Sequence, residues 1–263
     1  MPDRSFIEYP TIGNTFNVSG NFMRAFISIV ISFFICCVYG QSGKVVTIPT
    51  YKNYKNEVDT TLWFKWKYDL AKKINLKNLQ TSTDTFHFRF WTDIQAIDLW
   101  TIDHNSYFGI VTNYAQRYDD KLLGKGVYKI GKVYSNQVII DSLKARQLFN
   151  IIDKRSIVSI PTDDKINGWR QGFDGEEFLI ETSTPKKYDF KTYWTPRIFA
   201  DSLKEAKEIQ TFVDYLYTEF KVYDYYKKLK LPQGSYQRNG IQGIEIKTNN
   251  LFVPGATKVT DLL

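Results

Sequence analysis

Hydrophobic and polar positions alternate most strictly over residues 85–91, where Phe86, Phe88 and Phe90 interleave with His87, Arg89 and Trp91. A period of two marks a strand whose faces meet different surroundings. Residues 96–103 (AIDLWTID), 107–114 (YFGIVTNY) and 126–134 (GVYKIGKVY) predict three more strands. The His104-Asn105-Ser106 turn and the Asp119-Asp120-Lys121 break separate them. Strands this closely spaced join as an antiparallel meander.

The period then changes. Ala145, Leu148, Phe149 and Ile152 fall at helical spacing and predict a helix over 141–153. A turn-rich loop follows over 162–175, then a hairpin of 176–182 and 188–194 around Pro185. Ser202-Leu203-Lys204-Glu205 reads as a capping box. Behind it, Leu203, Ala206, Ile209, Val213, Leu216, Phe220 and Tyr223 predict one long helix to about Leu231-Pro232. Upstream, Leu62, Trp63, Trp66, Leu70 and Ile74 predict a helix within 59–79, with Asp59 as its N-cap. The order predicts an α+β fold: an antiparallel meander sheet with helices packed on one face and a long C-terminal helix.

Residues 25–38 (AFISIVISFFICCV) form an uncharged apolar run behind Arg24 and ahead of Val38-Tyr39-Gly40. That order predicts a cleavable signal peptide over 23–40, with the mature chain starting at Gln41. The run is short of the roughly 20 residues a spanning helix needs. Met23 is the second of two methionines, which suggests that 1–22 is an extension or a mis-assigned start. The expected organisation is then an arm and helix over 41–84 and a single domain over 85–263. The chain is expected to be periplasmic or secreted. The alternatives are a retained membrane anchor, or a lipoprotein modified at Cys36 or Cys37, although neither cysteine follows a small residue. Both cysteines lie in the apolar run, so the mature chain has none for a disulfide, a zinc cluster or a nucleophile.

Composition changes this picture little. The net charge is +7, and residues 1–40 carry equal numbers of acids and bases, so cleavage leaves it unchanged. The charges alternate in sign without a basic block, which argues against a nucleic-acid partner. No phosphate loop, dinucleotide fingerprint, HExxH or GxSxG is present, so no cofactor is expected. His87 and His104, the only histidines, have no catalytic motif around them. Read as a calcium loop, Asp163, Asn167, Gly168 and Asp174 fall at ligand positions, but Lys165 fills one that needs an oxygen. No metal site and no catalytic residue is assigned.

One pattern stands out. Gly168-Trp169-Arg170-Gln171-Gly172-Phe173-Asp174-Gly175 leads into Phe178-Leu179-Ile180-Glu181, followed by Tyr188 and the Trp194-Thr195-Pro196 stop. Together with Phe88-Arg89-Phe90-Trp91, it resembles a signature of exported proteins of Bacteroidetes-like bacteria. The resemblance implies a fold and an exported location, and brings no activity. Physically, Arg89 and Glu181 are charges inside apolar strands. If both are buried they must pair, because an isolated buried charge is very costly. Trp169, Arg170, Asp174, Glu181 and Arg89 are the candidate ligand-binding residues. Missing catalytic motifs and abundant aromatics favour a non-catalytic protein that binds an envelope protein or a glycan. The alternative is a hydrolase of envelope or environmental polymers using carboxylates between Asp174 and Glu181.

Overall fold

The computed structural model describes residues 43–52, 55–172, 175–238 and 243–247. The expected extension, signal peptide and Asp174 lie outside the described residues. Three short strands come first: β1 (Val45–Thr47), β2 (Thr50–Lys52) and β3 (Val58–Thr60). Helix α1 (Leu62–Lys73) leads to β4 (Phe86–Trp91), β5 (Gln95–Thr101) and β6 (Tyr107–Tyr118). A single turn, α2 (Asp120–Leu123), precedes β7 (Ile130–Ile140) and α3 (Ser142–Lys154). The hairpin is β8 (Glu177–Ser183) and β9 (Lys187–Trp194). It is followed by α4 (Pro196–Phe199), α5 (Lys204–Glu219), α6 (Val222–Lys227), β10 (Gly234–Arg238) and β11 (Gly243–Lys247).

Among the described residues, nine strands make one sheet in the order β1-β9-β8-β4-β5-β6-β10-β11, with β7 also paired to β6. The fold is α+β and its centre is antiparallel. The sheet is nevertheless mixed, because β1 runs parallel to β9. The strict alternation in β4 works as expected. Phe88 and Phe90 join Ile97, Leu99, Phe178 and Ile180 in a core covered by Ala145, Leu148 and Ile152 of α3 and by Ile209, Phe212 and Leu216 of α5. The opposite side is covered as well. Leu70 and the residue after α1, Ile74, pack on Trp91, Ala96, Tyr114, Leu179 and Phe190. Helices therefore lie on both faces, not one, because the second face of β4, β8 and β9 is itself apolar and must be buried.

The long C-terminal helix is also corrected. It stops at Glu219, and Lys221 takes a left-handed φ of 42° before α6 begins. Phe220 is the C-cap, and its ring is buried in the core at 5 % exposure. The expected caps differ too. The N-cap of α5 is Leu203, with no side-chain cap, and Ser202 instead donates to the Phe199 carbonyl. Asp59 does not cap α1. It accepts from the Thr60 amide and pairs with Lys65 inside the helix. Asp141 does cap α3, accepting from the Lys144 amide at 2.9 Å.

The loop before β8 is held by Asp163, which is 1 % exposed. Asp163 accepts from the Trp194 amide at 2.7 Å and the Thr192 hydroxyl at 2.9 Å, so it fastens the loop to β9. Gly172 lets the chain cross the Trp194 ring: a Cβ there would lie 2.6 Å from Trp194 Cη2. Gly172→Ala is expected to cost about 1–2 kcal/mol in chemical denaturation, as overpacking does. Unchanged stability would mean that the loop can lift off the ring.

Candidate functional site

The register of β5, β4 and β8 aligns three charges. Arg89 lies opposite Asp98 on one side and opposite Glu181 on the other. Arg89 Nε donates to Asp98 Oδ1 at 2.7 Å, and Nη1 lies 3.5 Å from Glu181 Oε1. Nη2 donates to the Lys77 carbonyl at 2.9 Å. The expected Arg89–Glu181 contact is thus present. Asp98 is the tighter partner, a third charge in an apolar strand.

Each acid has further partners. Trp91 Nε1 and the Tyr188 hydroxyl donate to the two oxygens of Glu181, at 2.6 and 2.8 Å. His87 Nε2 lies 2.8 Å from Asp98 Oδ1, and its Nδ1 lies 2.9 Å from Asp84 Oδ2. The ring satisfies both contacts only as a double donor. Lys77 and Ser82 complete the shell of Asp84. The result is a continuous polar chain from Lys77 through Asp84, His87, Asp98 and Arg89 to Glu181, most of it buried.

The electrostatics follow from this arrangement. The hydrogen bond from His87 is the main force holding Asp84 far below the ordinary carboxylate range. Burial pushes Asp98 up, but Arg89 and His87 outweigh it and leave the carboxyl low. Burial likewise opposes the charge of Arg89, and Asp98 and Glu181 more than restore it. Burial, reinforced by Glu181, pushes the Tyr188 hydroxyl well above its usual range. Asp84, Asp98 and Arg89 are thus held in their charged forms by their neighbours.

Beyond the reach of α1 the same sheet face opens. In the next row, His87 lies opposite Trp100 and Trp100 opposite Phe108. The three rings stack in sequence, at 5.7 Å and 15°, then 5.6 Å and 17°. The row of Asp98 continues outward through Ile110 to Ile139. Phe108 is 39 % exposed and Ile139 82 % exposed.

The candidate ligand-binding residues are therefore divided. Arg89 and Glu181 sit together beneath α1. Trp169 lies on the other face, its ring tilted against Tyr193 and Phe199 and donating to the Trp194 carbonyl at 2.8 Å. Arg170 is exposed beside it. His104, in its turn, takes a left-handed φ of 63°. Among the described residues, no group of acids, histidines and cysteines has the geometry of a metal centre, and no helix is long and apolar enough to cross a membrane. Comparison with family models, curated proteins and solved structures finds no match to this chain.

Proposed function

We propose that this is an exported, non-catalytic binding protein that engages an envelope protein or a glycan through the open face of its sheet. The apolar run behind Arg24 and the resemblance to exported proteins support export. The observation that carries the binding reading is the outer part of the stacked row, Trp100 and Phe108, beside the exposed Ile139, with His87 buried at its inner end. A flat apolar surface of this kind is unfavourable in water unless something covers it. The mixture of stacked rings with an aliphatic side chain favours a protein partner, since aromatic anchors dominate such interfaces.

The hydrolase alternative has less support. Glu177 and Glu181 lie on the same side of β8 but four residues apart, roughly 13 Å along a strand. Carboxylate pairs that cleave glycosides stand about 5–9.5 Å apart. Glu181 is also fully occupied by Trp91, Tyr188 and Arg89.

Immobilised protein, exposed to envelope extract and to wall polysaccharide of the source organism, tests the reading. Phe108→Ala with Ile139→Ser is expected to lower retention of the bound partner at least tenfold, about 1.4 kcal/mol or more. Ile139 is exposed and Phe108 packs only on Trp100, so the variant should stay folded with a small fall in melting temperature. Retention that is indifferent to both substitutions would sink the proposal, and a retained polysaccharide in place of a protein would reassign the partner class.

A further inference from the structure

Strand β7 is a free edge of the sheet. It pairs with β6 from Gly109 to Tyr118, and among the described residues no strand pairs with its other side. It is 11 residues long, with Lys132 as its one charge and no proline. Folded proteins commonly guard such an edge with charges, prolines or a covering segment, because its unpaired backbone groups recruit another strand.

The register shows which backbone groups are free. The Tyr114 amide donates to the Ile94 carbonyl at 2.9 Å, so the even-numbered residues of β6 turn their backbone groups toward β5 and the odd-numbered ones toward β7. Asn113 and Ala115 lie opposite Asn136 and Tyr134. The even-numbered residues of β7 therefore serve β6, while Val133, Ser135, Gln137 and Ile139 direct theirs to the open edge. A row of amide side chains reaches the same edge. Gln95 donates to Asn113 at 2.7 Å, and Asn113 to Asn136 at 2.8 Å. Gln95 and Asn113 are fully buried and Asn136 is half-buried. Among the described residues the Asn136 nitrogen donates to no group.

We propose that β7 pairs antiparallel with β7 of a second copy of this chain, about a twofold axis at Asn136, so that one sheet runs through two protomers. Ser135 then meets Gln137 of the second copy, and Val133 meets its Ile139. These are the residues whose backbone groups are free, and they exchange the new hydrogen bonds. Asn136 meets its own counterpart as a non-hydrogen-bonded pair, in which side chains come closest. Each Asn136 amide donates to the other's oxygen, which has a second lone pair to accept it, and the amide row continues from one Gln95 to the other. Val133 opposite Ile139 and Tyr134 opposite Val138 match apolar with apolar on the two faces. The strand is uncharged from Val133 to Ile140, so the axis brings no like charges together. A twofold interface demands this self-complementarity. The pairing adds a strand beside Ile139 and leaves the face of Trp100 and Phe108 open, so it does not rest on the partner proposed for that face.

Sedimentation equilibrium of the full chain tests the pairing, and the wild type is expected to be a dimer. Ser135→Lys with Gln137→Lys sets lysines opposite each other twice across the axis and should weaken the dimer roughly tenfold or more. Ser135→Lys with Gln137→Glu sets opposite charges face to face and should restore it. A register shifted by two residues would instead place like charges opposite and give no rescue. Both positions are exposed, so both variants should fold, which circular dichroism checks. If the double-lysine variant does not fold, Gln137→Pro takes its place, since it removes an outward N–H and spares the β6 ladder. Phe108→Ala should leave the dimer intact, which separates failure here from failure of the open-face reading. A monomeric wild type, a dimer indifferent to the double-lysine variant, or no rescue by the lysine–glutamate variant would each overturn the proposal. Assemblies larger than two would do so as well, because a twofold interface closes on itself.

Discussion

Arg89→Met is expected to remove about 3–5 kcal/mol of folding stability, the usual consequence of deleting one partner of a buried ion pair. The reason lies in what stays behind. Asp98 keeps one oxygen, Oδ2, buried without a hydrogen-bond partner even in the intact protein, and depends on His87 and Arg89 through the other. Glu181 keeps Trp91 and Tyr188 but loses its counter-charge. Two carboxylates would then share a low-dielectric face with one imidazole ring between Asp98 and Asp84. The measurement is urea denaturation of Arg89→Met alone and of Arg89→Met combined with Asp98→Asn and Glu181→Gln. The combined variant should recover a large part of the loss, because most of the cost is the unpaired charge and not the missing contact. A loss below about 1 kcal/mol in the single variant would mean that water reaches the row and screens it.

Much of this site was legible in the chain itself, and the missing parts have a common cause. The alternation of Phe86, Phe88 and Phe90 fixes which side of β4 enters the core, so Arg89 must point to the other side. A charge there demands a partner, and Glu181 was found by that demand alone. Asp98 answers the same demand more closely. AIDLWTID reads as an ordinary strand until its register against β4 is known. His87 reads as an isolated histidine in the sequence: Asp84 lies three residues before it, ahead of β4, and Asp98 meets it only across the β4–β5 turn. Trp169 shows the opposite relation between motif and packing. Its local motif suggested a binding surface, while the tertiary fold uses the ring to close the core beneath α4. Placing α1 needed the whole sheet, since its spacing shows an apolar stripe but not which face receives it. The break at Lys221 has no local mark, for a lysine in a left-handed conformation is sustained by the packing of Phe220 on one side and Val222 on the other.

At the far end of β8 the balance of burial and charge is reversed, and a single substitution exposes it. Glu177 has a buried Oε1 with no hydrogen-bond partner, and burial, reinforced by the nearby Asp163, pushes its carboxyl up to about 9. In the unfolded chain the same group titrates near 4.5. The folded value is the higher one, so its contribution is complete below pH 4.5 and is lost as pH rises toward 9. At pH 7 the unfolded carboxyl has released its proton and folding must restore it, at a cost of about 3 kcal/mol. Glu177→Gln keeps the shape and removes the titration. Variant and wild type are therefore expected to be equally stable at pH 4, with the variant ahead by about 3 kcal/mol at pH 7 and by more at pH 9. Asp84 and Asp98 do not obscure the comparison. Both titrate below their unfolded values, so the stability they supply is lost only as pH falls below about 4, and equally in both proteins. Asp163 is coupled to the result, because burial raises its carboxyl as well. It nevertheless accepts hydrogen bonds from the Trp194 amide and the Thr192 hydroxyl, which support its charge. Identical stability curves across the three pH values would place Glu177 in water, ionised, and would remove the main cause of strain at this end of the sheet.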